Sequence, residues 1–196
     1  EKDGKVEIIK GDNLNILDQM SKEEYDKLKT KTFKYIDIGN TEKDLGMIKG
    51  HEEDLLIALP TRARMIIKEN DILIPAPVHS ASGIIIIPEE YNNQLCSNGF
   101  IVIRPKDYDD AVLLYTILKS DLLQRQFFYL QSGINQQSIT DRNFKNFVYI
   151  PIPKDKADKE KMTKSIKNLI AEAKGLKENY NKKLNKIQEE FLEVIS

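Results

Sequence analysis

The five arginines of this 196-residue chain, Arg62, Arg64, Arg104, Arg125 and Arg142, all fall in its middle stretch, while lysine carries the positive charge elsewhere. A guanidinium is a planar fork of donors that matches phosphate oxygens and base edges; an ammonium is a hydrated point charge. A lysine-rich composition that keeps arginine only where the fold needs it would look the same, so both readings stay open here. The two histidines, His51 and His79, have no metal-ligand spacing to another His or Cys. His51 precedes Glu52-Glu53-Asp54 and His79 lies among prolines and serines, so both read as solvated loop residues. Cys96 is the sole cysteine, which excludes a disulfide framework, a Cys-rich zinc site and a thioredoxin-like pair. Nothing fits a Gly-rich phosphate loop. The acidic pairs Glu89-Glu90 and Asp109-Asp110 are adjacent and read as turns or caps. The amino-methyltransferase Asn/Asp-Pro-Pro-Tyr/Phe motif and a nuclease-type acidic cluster ending in Lys are also missing. The chain is therefore expected to catalyse nothing by itself, with no metal and no cofactor.

These residues must be positioned by an α+β block. The chain is 40% hydrophobic, enough for one core plus a helix, and its net charge of −1 argues against a generic polycation. No run approaches the roughly 18 uncharged apolar residues of a membrane span, and no secretory leader pattern opens the chain, so a cytoplasmic protein is expected. Ser21 and Glu24 fit a capping box, and Asn13–Met20 carries a weak helical signal. Strands are expected at Phe33–Ile38, Arg62–Ile67, Ile72–Ile74, Ile84–Ile87 and Gly99–Ile103. Glu42–Asp54 reads as a charged surface loop with a short strand near Met47-Ile48. Asp109 or Asp110 would cap one helix over Ala111–Phe128, with Gly133–Ser138 a polar loop after it. Val148–Pro153 reads as a last edge strand. The expected fold is α+β: a twisted mixed sheet with packed helices over residues 1–153, then one long coiled-coil helix over 154–196.

That helix carries Met162, Ile166, Leu169, Ala173, Leu176 and Tyr180 at alternating steps of four and three, the 3.5-residue period of a coiled-coil seam. A second step of four leads to Leu184, followed by Ile187 and Phe191; this stutter locally unwinds a supercoil. So long a stripe needs a partner helix.

Several stretches, taken in order, resemble one known family. Arg62-Ala-Arg-Met-Ile-Ile-Lys-Glu-Asn-Asp-Ile-Leu-Ile-Pro75 resembles the "(S/A)-R-x-(V/I)-x-x-G-D-(I/L)-L" strand pair of target-recognition domains in DNA-specificity (S) subunits of Type I restriction-modification systems. Tyr35-Ile-Asp-Ile38 is similar to the family's "Y-I-x-I" strand, and Ser97-Asn-Gly-Phe-Ile-Val-Ile-Arg-Pro105 to its "S-x-G-F-x-V-L-R-P" strand. Leu114-Tyr-Thr-Ile-Leu-Lys-Ser120 with Gly133 resembles its helix and loop, and Ile150-Pro-Ile-Pro153 its exit into the long helix. The resemblance covers residues 33–195. Asn70 stands where the family has Gly, a position whose left-handed turn Asn also tolerates. A full S subunit has two recognition domains and two helices; one of each is present, as in a half-subunit, and the first residue, Glu1, fits a piece of a longer chain.

The resemblance implies a non-catalytic block that reads a half-site on double-stranded DNA. Its helix would pack antiparallel on a second helix, from a second copy or the subunit's other half, as a ruler between half-sites. The implied protein partners are an adenine methyltransferase subunit and a restriction/translocase subunit. Candidate DNA-facing residues are Arg62, Arg64, His79, Ser80, Ser82, Asn135, Gln136, Gln137, Arg142 and Lys145, because Arg, Asn and Gln grip base edges bidentately and Ser follows either base or phosphate. The polar loop could equally be an ordinary loop, and Arg62 and Arg64, alternating along one strand face, could equally be solvated edge charges. Arg104 and Arg125 are assigned to structural salt bridges, and Tyr115, Phe127 and Phe128 to the core. Two other readings remain: a recognition-domain piece of a single-chain restriction-methylation enzyme, and a coiled-coil protein adaptor.

Overall fold

The structure, a computed structural model, describes residues 7–8, 21–43, 46–77, 80–131 and 137–195. The chain divides into two compact units, Glu1–Ile152 and Pro153–Ser196.

The first unit is built on two four-stranded sheets. One is antiparallel, in the order β1 (Glu7–Ile8), β8 (Phe100–Arg104), β5 (Ile72–Pro75), β6 (Ile85–Ile86). The other is mixed, in the order β3 (Glu52–Leu55), β2 (Thr32–Ile36), β7 (Gln94–Ser97), β4 (Ala63–Ile67), with β2 and β7 parallel. The α+β class stands, and the single expected sheet is two. Ile36, Met65, Ile67 and Cys96 of the mixed sheet meet Leu73, Ile85, Phe100 and Val102 of the antiparallel one in a shared core. The far face of the mixed sheet, through Tyr35, Ala63 and Leu95, packs with Leu56 and Leu59 against Tyr25 and Leu28 of α1 (Lys22–Leu28). The Ser21–Glu24 capping box of α1 is formed.

Several expected elements differ. The helix expected over Ala111–Phe128 is two, α2 (Tyr108–Leu118) and α3 (Asp121–Tyr129), and the first cap is Asp107, whose carboxylate accepts the Asp110 N–H at 2.9 Å. The break falls at Lys119-Ser120, where Ser120 is extended and its hydroxyl donates to the Ile117 carbonyl at 2.6 Å. Residues 148–153 form no strand: Pro151 and Pro153 offer no ladder donor, and Tyr149 is tied through its backbone to the Gln126 amide. The expected loop before Asp54 contains β3, an edge strand exposed along its whole length, where negative charge discourages further pairing. The short strand near Met47-Ile48 is a single bridge, Thr41 to Ile48. The expected strand Ile84–Ile87 shortens to Ile85–Ile86, and its run is buried except at half-buried Ile86. Strand β7 and helix α4 (Asp141–Phe147, capped by Thr140) were not expected. Asn13–Met20 lies outside the described residues.

The second unit is α5 (Lys156–Ile195), a helix of 40 residues and therefore roughly 60 Å long. Asp155 caps it, accepting the Asp158 N–H at 3.0 Å. No described helix is long and apolar enough to cross a membrane.

Candidate nucleic-acid interface

Strand β4 decides where the first two candidates point. Its pairing with β7 steps from Ala63↔Ser97 to Met65↔Cys96, two residues against one, which makes Arg64 the site of a bulge. Side-chain parity flips there. Ala63 packs on the α1 side of the sheet, whereas Met65, two residues on, packs in the core between the sheets. The expectation that Arg62 and Arg64 share one strand face is therefore wrong. Arg64 turns back to its own loop, with Nε donating to the Thr61 carbonyl at 2.5 Å, and lines a cleft of about 230 Å³ with Tyr25, Leu56, Ile57 and Pro60. Arg62 is exposed, and its guanidinium lies on the other side, against Gly99.

A string of backbone hydrogen bonds runs from Arg62 along one end of the sheets. The Asn98 N–H donates to the Arg62 carbonyl at 2.9 Å, and the Ala76 N–H to the Gly99 carbonyl at 2.9 Å. The Ile139 N–H donates to the Ala76 carbonyl at 2.8 Å, and Pro77 bridges Ser138. The Ser80 N–H then donates to Pro77 at 2.9 Å, and the Gly83 N–H to Ser80 at 2.8 Å. The segments that carry exposed Arg62, half-buried Ser80 and Ser82, and exposed Gln137 are thus joined through their backbones along one rim, although they are far apart in sequence. Arg142 and Lys145 are exposed on α4, which starts just beyond that rim. Arg64 is not part of it. His79, Asn135 and Gln136 lie outside the described residues.

The remaining polar residues hold the frame. Arg104 donates from Nε and Nη2 to the two carboxylate oxygens of Asp71, each at 2.7 Å, and Asp71 is fully buried. Asp71 also accepts the Lys68 N–H at 2.8 Å, closing the turn between β4 and β5. Asn70 supplies that turn's left-handed residue at φ 67°. Arg125, expected in a salt bridge, stands exposed on α3. Tyr115 and Phe127 are core, but Phe128 is exposed because α3 turns that face outward. His51 is more than a solvated loop residue: its Nδ1 and the Tyr91 hydroxyl share a hydrogen bond of 2.9 Å. Burial pushes the Cys96 thiol well above its ordinary range and the Tyr115 phenol up to about 12. No group of three or more His, Cys, Asp or Glu residues able to hold a metal exists among the described residues. On α5, Met162, Leu169, Leu176, Tyr180, Leu184, Ile187 and Phe191 are exposed, with Ile166 and Ala173 half-buried.

Asn98 and Gly99 are not among the residues the sequence singles out. The signal was present in the Ser97-Asn-Gly-Phe100 stretch, but only the fold shows that this corner touches Arg62.

The family model described as Type I restriction modification DNA specificity domain matches residues 11–186. Seven chains of solved structures match as well. The HsdS subunit from Thermoanaerobacter tengcongensis superposes with a TM-score of 0.60 at 23% identity, covering 76% of this chain and 38% of that one. A chain from a structure described as the basis of complex assembly and conformational transition of the type I R-M system gives 0.64 at 25% identity, over 80% and 41%. The chain thus spans about two fifths of the length of these solved chains. No curated protein matches.

Proposed function

The chain belongs to the family of Type I restriction-modification DNA specificity domains, and from that premise we propose that it reads half of a bipartite site on double-stranded DNA. The observation that carries this reading is the rim that gathers Arg62, Ser80, Ser82 and Gln137 at one end of the sheets, with Arg142 and Lys145 close in sequence. Its residue types are those that grip phosphates and base edges, and its backbone is tied down rather than loose. His79, Asn135 and Gln136 belong to the same two segments by sequence and complete the proposed reading set; Arg64 supports the frame instead.

Chemistry falls to partners in this proposal: an adenine methyltransferase subunit and a restriction/translocase subunit assemble on the specificity component. The exposed apolar stripe of α5 supports pairing with a second such helix, supplied by a second copy or by the other half of a specificity subunit. Residues 1–153 then act as the recognition domain, and 154–196 as the dimerising spacer.

The test is duplex binding by the full chain with its methyltransferase, followed by mapping of the methylated adenines. Arg62→Ala with Gln137→Ala is expected to relax the site, and Arg142→Ala with Lys145→Ala to weaken all sequences alike and flatten the salt dependence. An unchanged methylation map for the first variant, together with unchanged duplex affinity and salt dependence for the second, would mean that this end of the block does not face DNA.

A further inference from the structure

We propose that the two-residue corner Asn98-Gly99 and the Arg62 guanidinium laid against it form one prebuilt reading element. Asn98 is a further specificity-determining residue in it, and Gly99 is the positioning residue for Arg62. The proposal rests on the DNA-reading assignment above and adds to it two residues and a mechanism.

The corner carries the chain from β7 in the mixed sheet to β8 in the antiparallel one. Three hydrogen bonds from three directions hold it. The Ser97 hydroxyl oxygen accepts the Gly99 N–H at 3.2 Å, the Asn98 N–H donates to Arg62, and the Gly99 carbonyl accepts from Ala76, the last two at 2.9 Å. Ser97 is itself fully buried. The backbone under Asn98 is therefore set before any ligand arrives, and its amide stands exposed.

Arg62 depends on the same corner. A Cβ at position 99 would come within 2.7 Å of Arg62 Nη2 and 2.9 Å of Ile38 Cδ1. The guanidinium fills space that only a glycine leaves. An amide with a donor and an acceptor, and a guanidinium with two parallel donors, are the side chains that read adenine and guanine edges in the major groove. Readers of this kind work when their supporting shell fixes them. Here one corner supports both.

The experiment is selection from a randomised duplex pool by the full 196-residue chain, with thermal melting of each variant. Asn98→Ala is expected to lose roughly ten-fold discrimination at one base pair, and Arg62→Ala a similar amount at the same or an adjoining pair. In Gly99→Ala the two close contacts are the movable ends of side chains, so melting stays near that of the parent while discrimination falls as in Arg62→Ala. The Gly99→Ala/Arg62→Ala pair does no worse than either alone. A parent chain that enriches no motif sinks the DNA-reading assignment and this element with it. A motif enriched by the parent and reproduced unchanged by Asn98→Ala and Arg62→Ala overturns the element alone. So does an equal loss on every sequence with a shallower salt dependence, which marks a phosphate contact. If Gly99→Ala fails to fold, the two exposed-residue variants decide the matter.

Discussion

In the α+β block Ile67, Ile72, Leu73, Ile74, Val102 and Phe127 expose nothing to solvent, whereas along α5 Leu169, Leu176, Tyr180, Ile187 and Phe191 each leave 61–66% of their surface in water. The two regions use the same residue types and dispose of them in opposite ways. Sheets stacked face to face enclose their own apolar faces, so the block has a core of its own. A single long helix has one apolar stripe and no second element on its own axis to cover it. The block's stability is thus a property of its own contacts, while α5 leaves its apolar stripe open, the surface proposed above to pair with a second helix. A similar contrast divides the arginines. Arg104 is spent on a buried carboxylate, and Arg62 is exposed at the rim with its guanidinium against Gly99.

The contrast can be broken most sharply at Asp71. Asp71→Ala strands the Arg104 charge and is expected to destabilise the block by about 3–5 kcal/mol, read as a lower urea midpoint. A loss below about 1 kcal/mol would show that the pair is not part of the frame. On α5, Leu176→Ala should leave the block's melting unmoved yet weaken self-association by ~2 kcal/mol per copy, seen in sedimentation equilibrium. If melting fell and association held, the roles of the two regions would be reversed.

Alkaline unfolding sharpens the comparison further. The Tyr115 phenol ionises near 10.0 when exposed and only at about 12 in the fold, because burial disfavours its charged form. Its contribution is whole below pH 10 and is lost as pH rises towards 12, and it is worth up to roughly 2 kcal/mol. Tyr115→Phe should flatten the fall in stability over that window; a profile identical to the parent's would remove Tyr115 as its source. The smallest effect is expected at Asn70. Gly there should change stability by less than about 0.5 kcal/mol, since both residues accept a positive φ, whereas Asn70→Val should cost about 1–2 kcal/mol. Equal melting temperatures for the Gly and Val variants would contradict the left-handed turn.

Much of the block could be read in advance where pattern and position coincide. The strands at Ala63–Ile67, Ile72–Pro75 and Phe100–Arg104 carry apolar runs between turn residues, and the Ser21–Glu24 box is a local motif. What escaped was set by neighbours. Strand β3 is Glu-Glu-Asp-Leu, poor in intrinsic strand preference, and exists because β2 offers it a ladder. The split between α2 and α3 turns on Ser120, which looks like any polar helical residue until its hydroxyl is seen capturing the Ile117 carbonyl. Among the candidate residues, Arg62, Ser80, Ser82 and Gln137 follow from the family resemblance and residue type, but the grouping of Arg64 with Arg62 fails because a bulge is invisible to a period-of-two count.

The sequence by itself determined the residue types, the heptad stripe from Met162 to Phe191 and the ordered strand motifs, because each is a local property of chain spacing and side-chain chemistry. Tertiary structure decided which of those residues meet. The rim exists because backbone hydrogen bonds join segments around positions 62, 76, 98 and 139, and the Arg62 guanidinium rests on Gly99 because two sheets turn a corner there. Contacts of that kind depend on distances between parts of the chain far apart in sequence, and no local pattern encodes them.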